Sequence, residues 1–422
     1  MSESGLMFHR IVAGCGLFAM IFFAWCLSHH KRKFPLRVVI GGLLIQLALV
    51  LLIFKTQKGR FLFSWLGDTF TKLLDFVDQG CKLIFGDNFR EFYVAFKVLP
   101  TIIFFSALMA VLYHLRIMQL IVKALAWVLQ STLKISGAES LSAAANIFVG
   151  QTEAPFVIRP YIPTMTKSEL MAIMTGGFAT VAGGVLALYV GWGIDAGHLI
   201  TASFISAPAG LLIAKVIYPE TETAVTASKA NAEIPVETTN VIDAATTGAS
   251  DGLKLALNVA AMLIAFTALI AMFDFLLTEA TLWAGNTIFN MELKNGLSLS
   301  LIFGNAFAPL AWLMGIEWSE CVRAGELLGL KMVANELIAY ERMLKMLPAT
   351  GTENALSART VTIMTYALSG FSSFASIGIQ VGGIGGLCPE RRQDLAKLGL
   401  KAMLGGTLAC CMTACIAAIM IG

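Results

Sequence analysis

Charge is scarce in this chain. Only 14% of its 422 residues are Asp, Glu, Lys or Arg, against 57% hydrophobic, and the formal net charge is +3. So small an imbalance offers nothing to nucleic acid, and charge serves here only to orient the chain. Histidine is also rare: His9, His29, His30, His114 and His198 all fall at expected membrane ends, and HExxH does not occur. Metalloprotease chemistry therefore lacks its residues. The eight cysteines (Cys15, Cys26, Cys81, Cys321, Cys388, Cys410, Cys411, Cys415) lie mostly inside apolar segments without metal-ligand spacing, which makes them packing thiols rather than a disulfide framework. The lone glycine run "GGIGG", Gly382 to Gly386, reads as a helix-packing surface rather than a phosphate cradle. No small-residue cleavage signature follows the first apolar run, so that run is a retained helix and not a signal peptide.

What the chain has in abundance is apolar length. Mean hydropathy is +0.77, and a membrane-spanning helix needs about 20 mostly apolar residues. Eight runs satisfy that: Ile11–Leu27, Leu36–Phe54, Val94–Tyr113, Met171–Val190, Leu199–Ile217, Leu253–Leu277, Val361–Ile384 and Leu398–Ile421. An all-α integral membrane protein follows. The basic loops "HHKRKFPLR" (His29 to Arg37) and "RRQDLAKLGLK" (Arg391 to Lys401) belong inside by the positive-inside rule, which places both termini outside; "KTQKGR", Lys55 to Arg60, runs against this. The amphipathic stretches Phe61–Phe85 and Arg116–Lys134 are expected as interfacial helices, the alternative being ordinary amphipathic helices packed on neighbouring spans. Pro219–Gly252, rich in Thr, Ala, Ser and acids, is expected as a solvated connection between two halves.

The halves look related. "VGQTEAP" precedes a span entered through "AIMTGGF", and "KMVANELIAYERM" precedes one entered through "TIMTYALSGF". The shared order is an acid in a broken helix, then Ile-Met-Thr, then Gly-Phe, as in duplicated transporters whose site lies at the repeat interface near mid-membrane.

The stretch "NIFVGQTEAPFVIRPYIP", Asn146 to Pro163, is the most polar interruption of an apolar neighbourhood. Non-helical backbone at membrane depth is tolerated only inside protein or beside a wet cavity. Gly150 permits a turn and Pro155 starts a new helix without an unpaired N–H. Two half-helices meeting at a tip formed by Gln151, Thr152 and Glu153 are expected. An ionisable group at the bilayer centre costs on the order of 3 kcal/mol even on insertion scales, so Glu153, and Glu336 at the matching place, mark a site; the structural alternatives for Glu153 are an ion pair with Arg159 or a carboxyl kept neutral by burial. An amide, a hydroxyl and a carboxylate suit a neutral, polyhydroxylated or heterocyclic solute better than a phosphate.

These residues resemble a known family. "NIFVGQTEAPFVIRPYIPTMTKSELMAIMTGGFATVAG", "SAPAGLLIAKVIYPETE", "NELIAY" and "SGFSSFASIGIQVGGI" are similar to the concentrative nucleoside transporters over nearly the whole chain. The resemblance implies a homotrimer in the bilayer, each protomer with eight transmembrane helices, two re-entrant hairpins, interfacial helices and an inverted-repeat transport domain; the short N-terminal region and lack of long tails suggest a bacterial inner membrane. It implies N-terminal spans in 1–93, a scaffold span in 94–135, the first repeat in 136–218, the polar linker in 219–252, a second scaffold span in 253–316 and the second repeat in 317–422. It places Gln151, Thr152, Glu153 and Val185 on the nucleobase, and Glu336, Phe371, Ser373 and Ser376 on the ribose. Ser373 departs from the family's pattern, which has asparagine there, and a water could bridge the shorter hydroxyl to a sugar.

Sodium is the coupling ion the resemblance implies, held by Asn146, Val149, Thr180 and Val181, because proton-coupled relatives tend to lack the asparagine; the alternative role of Asn146 is a half-helix cap. Gly150 with Thr180 resembles purine-accepting members, so broad nucleoside use is expected. The chain is thus read as a sodium-driven, elevator-type nucleoside importer without other cofactors and not as an enzyme, the same-fold alternative being a proton-coupled symporter. A membrane-embedded enzyme lacks a nucleophile–base pair, and a scaffold or receptor leaves the paired acids unexplained.

Overall fold

The computed structural model describes residues 3–90, 94–227, 238–287, 296–348 and 355–421. Among the described residues the secondary structure is helical throughout, with no strand. The apolar helices α1 (Glu3–Cys26) and α2 (Leu36–Lys55) are followed by the long amphipathic α3 (Gln57–Phe85), whose start is capped by Thr56. Next come α4 (Leu99–His114) and α5 (Ile117–Leu133), the latter close to the expected interfacial stretch.

Two groups of short helices then follow the same order. The first comprises α6 (Gly137–Ala145), a 3-10 arm (Ala154–Thr164), α7 (Lys167–Ala179) and α8 (Gly183–Gly191), closed by α9 (Ala196–Ile217). The second follows α10 (Val241–Thr287) and α11 (Leu299–Leu313), and comprises α12 (Trp318–Val333), α13 (Glu336–Leu344), α14 (Ala358–Leu368) and α15 (Phe374–Leu387), closed by α16 (Arg392–Met420). Helices α9 and α16 are buried over most of their length, pack against each other and form the centre on which α7 and α14 lie.

Seven helical segments among the described residues are long and apolar enough to cross a membrane, or eight if α11 and α12, bent by 116°, count as one. The eight expected runs do not map one to one. Val361–Ile384 is two helices, because Ser369–Ser373 leaves the helical conformation and Ser373 caps a new start at α15. Met171–Val190 is likewise interrupted at residues 180–182. The expected polar connection 219–252 is shorter, since α10 already begins at Val241; residues 228–237 lie outside the described set. The stretch Ala154–Thr164, expected as the second half-helix after the turn, is 3-10 and not α-helical. Its prolines Pro155, Pro160 and Pro163 supply no N–H to an α-helical ladder.

One buried ion cluster fixes how the first group is assembled. Glu139 and Glu169 are the reciprocal carboxylates of two capping boxes, with Ser136 at α6 and Thr166 at α7. Lys215 of α9, 3% exposed, pairs with Glu139, stands 3.3 Å from Glu220 and donates to Ser168 Oγ at 2.8 Å. One ammonium thus ties the starts of α6 and α7 to the end of α9. Removing one partner of such a pair leaves uncompensated buried charge, so Lys215→Met is expected to cost about 3 kcal/mol of stability. The reading is a lower melting temperature in detergent, and an unchanged one would show that the carboxylates do not need the lysine.

Candidate solute-binding site

The candidate residues sit at or beside four interruptions of helix. The first is the turn after α6. Val149 N–H bonds Ala145 O at 3.0 Å, Glu153 N–H bonds Gly150 O at 3.2 Å, and Gly183 N–H reaches back to Phe148 O at 3.0 Å, lashing the turn to the start of α8. A side chain at Gly150 would collide with the Glu153 carboxylate and stand 3.2 Å from Ala182 Cβ, so any larger residue there must displace the Glu153 side chain. Gln151 is 6% exposed, and its Oε1 accepts from Gln380 Nε2 of α15 at 2.9 Å. Thr152 lies against the same helix, its Cγ2 being 3.0 Å from where a side chain at Gly383 would begin.

Glu153 is exposed. With Val149 and Thr152 it lines a cavity of about 510 Å³ that Tyr113 of α4 and Asp251 of α10 close from the other side. Its carboxylate therefore faces open space, and among the described residues it makes no ion pair with Arg159, itself exposed. The other expected solute residues do not line that cavity.

The second interruption follows α7. Thr180, 1% exposed, donates its hydroxyl to Gly176 O at 2.9 Å, and Asn146 Nδ2 lies 3.6 Å from where a side chain at Gly176 would begin. Asn146 is 1% exposed and its Oδ1 has no hydrogen-bond partner among the described residues. Val181 is buried beside them and Val149 half-buried. These are oxygen donors around a helix end, where carbonyls lack intrahelical partners.

The third interruption parts α12 from α13. Asn335 caps α13 by accepting from Ile338 N–H at 2.9 Å, which sets Glu336 at the first helical position, 3% exposed, with its Oε2 unpartnered among the described residues. Tyr189, one turn beyond the buried Val185 on α8, packs its ring 4.1 Å from that of Tyr340 on α13. Tyr340 in turn donates to Thr365 O of α14 at 2.7 Å. The first group's broken helix thus meets the second group's hairpin.

The fourth interruption, between α14 and α15, carries Phe371, Ser373 and Ser376. Phe371 is half-buried. Ser373 accepts from Ser376 N–H at 3.3 Å, and the two hydroxyls are 3.0 Å apart. The Ser373 side chain is therefore turned to its own helix cap. Sequence reasoning missed two side chains here: Gln380, which holds Gln151, and Lys331, fully buried, which donates to Ala367 O at 2.8 Å. An intramembrane lysine five positions before Glu336 was a visible signal for the second.

The model "Na+ dependent nucleoside transporter C-terminus" matches residues 198–418, its N-terminal counterpart matches 15–88, and a "Nucleoside recognition" gate model matches 95–194. The chain belongs to the Na+-dependent nucleoside transporter family. This family member is 44% identical over 413 residues to an uncharacterized transporter of Haemophilus influenzae, covering 96% of this chain and 97% of that one. It is 39% identical to solute carrier family 28 member 3 of Mus musculus over 97% of its own length, and spans 59% of that longer relative. Its fold is similar to that of CNTnw in an inward-facing substrate-bound state, with TM-score 0.88 at 42% identity and 98% of each chain covered.

Proposed function

We propose that this chain is a sodium-coupled nucleoside symporter. The observation that carries this reading is that each group of helices breaks at a polar tip bearing a carboxylate. The Gln151–Thr152–Glu153 turn offers an amide, a hydroxyl and a carboxylate, and Glu336 keeps a buried oxygen without a partner. A free carboxylate oxygen at a helix start, screened from bulk water, suits the hydroxyls of a sugar, and the amide-bearing turn suits a base. Gln151, Thr152, Glu153 and Val185 take the base side, and Glu336, Phe371, Ser373 and Ser376 the ribose side. Because the Ser373 hydroxyl caps α15, it reaches a sugar through water.

The orphaned Asn146 Oδ1, the Thr180 hydroxyl and the carbonyls of Val149 and Val181 make an all-oxygen set for sodium, which travels here as a co-substrate. The two similar groups of helices move as an elevator past a scaffold containing α4 and α10. The strongly exposed apolar residues Leu257, Ile264 and Phe275 of α10 fit a homotrimer contact or lipid. Both termini are placed outside in a bacterial inner membrane.

The test is uptake of labelled uridine and adenosine into proteoliposomes under an inward sodium gradient or an equal proton gradient. Sodium-driven accumulation is expected for both; accumulation driven only by protons would remove the sodium site. Asn146→Ala is expected to raise the half-saturating sodium concentration about tenfold, the loss of one good oxygen ligand, with little change in the choice among nucleosides. Equal sodium dependence in variant and parent would count against Asn146.

A further inference from the structure

Gln380 is fully buried on α15, about two helical turns past the Ser373 cap. Its Nε2 makes two hydrogen bonds, to Gln151 Oε1 at 2.9 Å and to the backbone oxygen of Met174 at 3.1 Å. A pair of glutamines alone can be drawn either way round, since the two ends of a primary amide have nearly the same shape. Met174 O removes that freedom. A backbone carbonyl only accepts, so the atom of Gln380 facing it is the NH2, and the same NH2 must then meet the oxygen of Gln151. The amino end of Gln151 is left as the end that α15 does not hold.

We propose that Gln380 is a positioning residue that sets base selectivity: by binding the oxygen of Gln151 it makes the hairpin tip present a hydrogen-bond donor to the solute. The inference rests on the nucleoside reading of the site. The class so selected is nucleosides whose base turns a carbonyl oxygen or an unprotonated ring nitrogen toward Gln151. Gln380 Oε1 has no partner among the described residues, so the two donor bonds alone fix its orientation. Packing keeps the triangle closed from the α7 side. A Cβ at Gly177 would lie 2.7 Å from Gln380 Nε2 and 3.0 Å from Gln151 Cβ, so a larger residue there must push the pair apart.

Glutamate at position 380 would reverse the arrangement. Ionised, it donates nothing; protonated, it has one O–H, which Met174 O takes. In either state Gln151 faces an acceptor, must turn its NH2 toward α15, and shows its oxygen to the solute. Leucine there would leave the Gln151 amide free to rotate.

The test is the KM and kcat of uridine and cytidine uptake in proteoliposomes for the parent, Gln380→Glu, Gln380→Leu and Gly177→Ala. The two bases carry opposite donor and acceptor patterns at N3 and C4. The uridine-to-cytidine ratio of KM is expected to shift about tenfold in Gln380→Glu, the worth of one hydrogen bond made or mismatched. It should shift less, in the same direction, in Gln380→Leu and Gly177→Ala, with kcat within about twofold of the parent. A purely structural role would raise both KM values together and leave the ratio where it was, and that result overturns the proposal. Should the glutamate variant fail to fold, Gly177→Ala carries the same decision without touching a polar group. Absence of any nucleoside uptake by the folded parent would overturn the nucleoside reading and this inference with it, whereas parental ratios in active variants overturn the inference alone.

Discussion

Glu336→Gln is expected to lower the efficiency of nucleoside uptake about a hundredfold. A carboxylate can accept from two neighbouring sugar hydroxyls at once, whereas an amide offers one acceptor and turns a donor toward the second hydroxyl. Bonds to a charged acceptor contribute about 1.5–3 kcal/mol each, so the loss of one and the mismatch of another come to about 3 kcal/mol, or roughly two powers of ten. The framework around Glu336 does not depend on that oxygen. Asn335 provides the cap of α13, Tyr340 is held by Thr365 O, and Glu336 Oε2 bonds to nothing among the described residues. Stability should therefore fall much less than uptake. The check is uptake kinetics beside a melting curve in detergent; efficiency within about threefold of the parent would remove Glu336 from the sugar.

What could be read from the sequence depended on contrast. Gly150, Pro155 and the polar trio between them stand out against alanine, phenylalanine and valine, and the turn is where they put it. Glu336 stands out equally, and its helix break follows from Asn335. Gln380 does not stand out. It is one amide in the apolar run "SIGIQVGGI", and its partner Gln151 lies 229 positions away. No spacing rule connects the two, since only the packing of α15 on the first hairpin makes them neighbours.

The errors in the elements also have physical causes. Hydropathy measures apolar length, so it joined α14 to α15 across Ser369–Ser373, where serine and glycine interrupt the backbone while the flanking apolar residues keep the mean high. The start of α10 failed in the opposite sense. Its Thr, Ala, Gly and Asp residues read as a solvated connection, yet their small size is what packs them on α4: a side chain at Gly248 would stand 2.6 Å from Ala110 Cβ, and one at Gly252 would stand 2.7 Å from Ile103 Cα. Small residues let helix backbones approach closely, and a composition scale scores the same residues as loop.

Lys331→Met is expected to produce the other large effect, on stability as well as uptake. The ammonium is fully buried and donates to Ala367 O, at the last turn of α14, where unpaired carbonyls concentrate partial negative charge. Glu336 follows five positions later across the break between α12 and α13, and Lys331 acts on it electrostatically. Methionine fills similar volume but leaves that carbonyl without a donor and Glu336 without its nearby cation, a loss of about 3 kcal/mol. If the lysine serves both groups, its substitution and that of Glu336 are not independent. The double variant Lys331→Met/Glu336→Gln, which removes the cation and the anion together, should then melt above Lys331→Met alone while taking up no more nucleoside. Melting temperatures that fall by the sum of the single changes would restrict Lys331 to the α14 carbonyl. A double variant that recovers them would show that this lysine is the fixed counter-charge that lets an anionic Glu336 stay buried until a sugar reaches it.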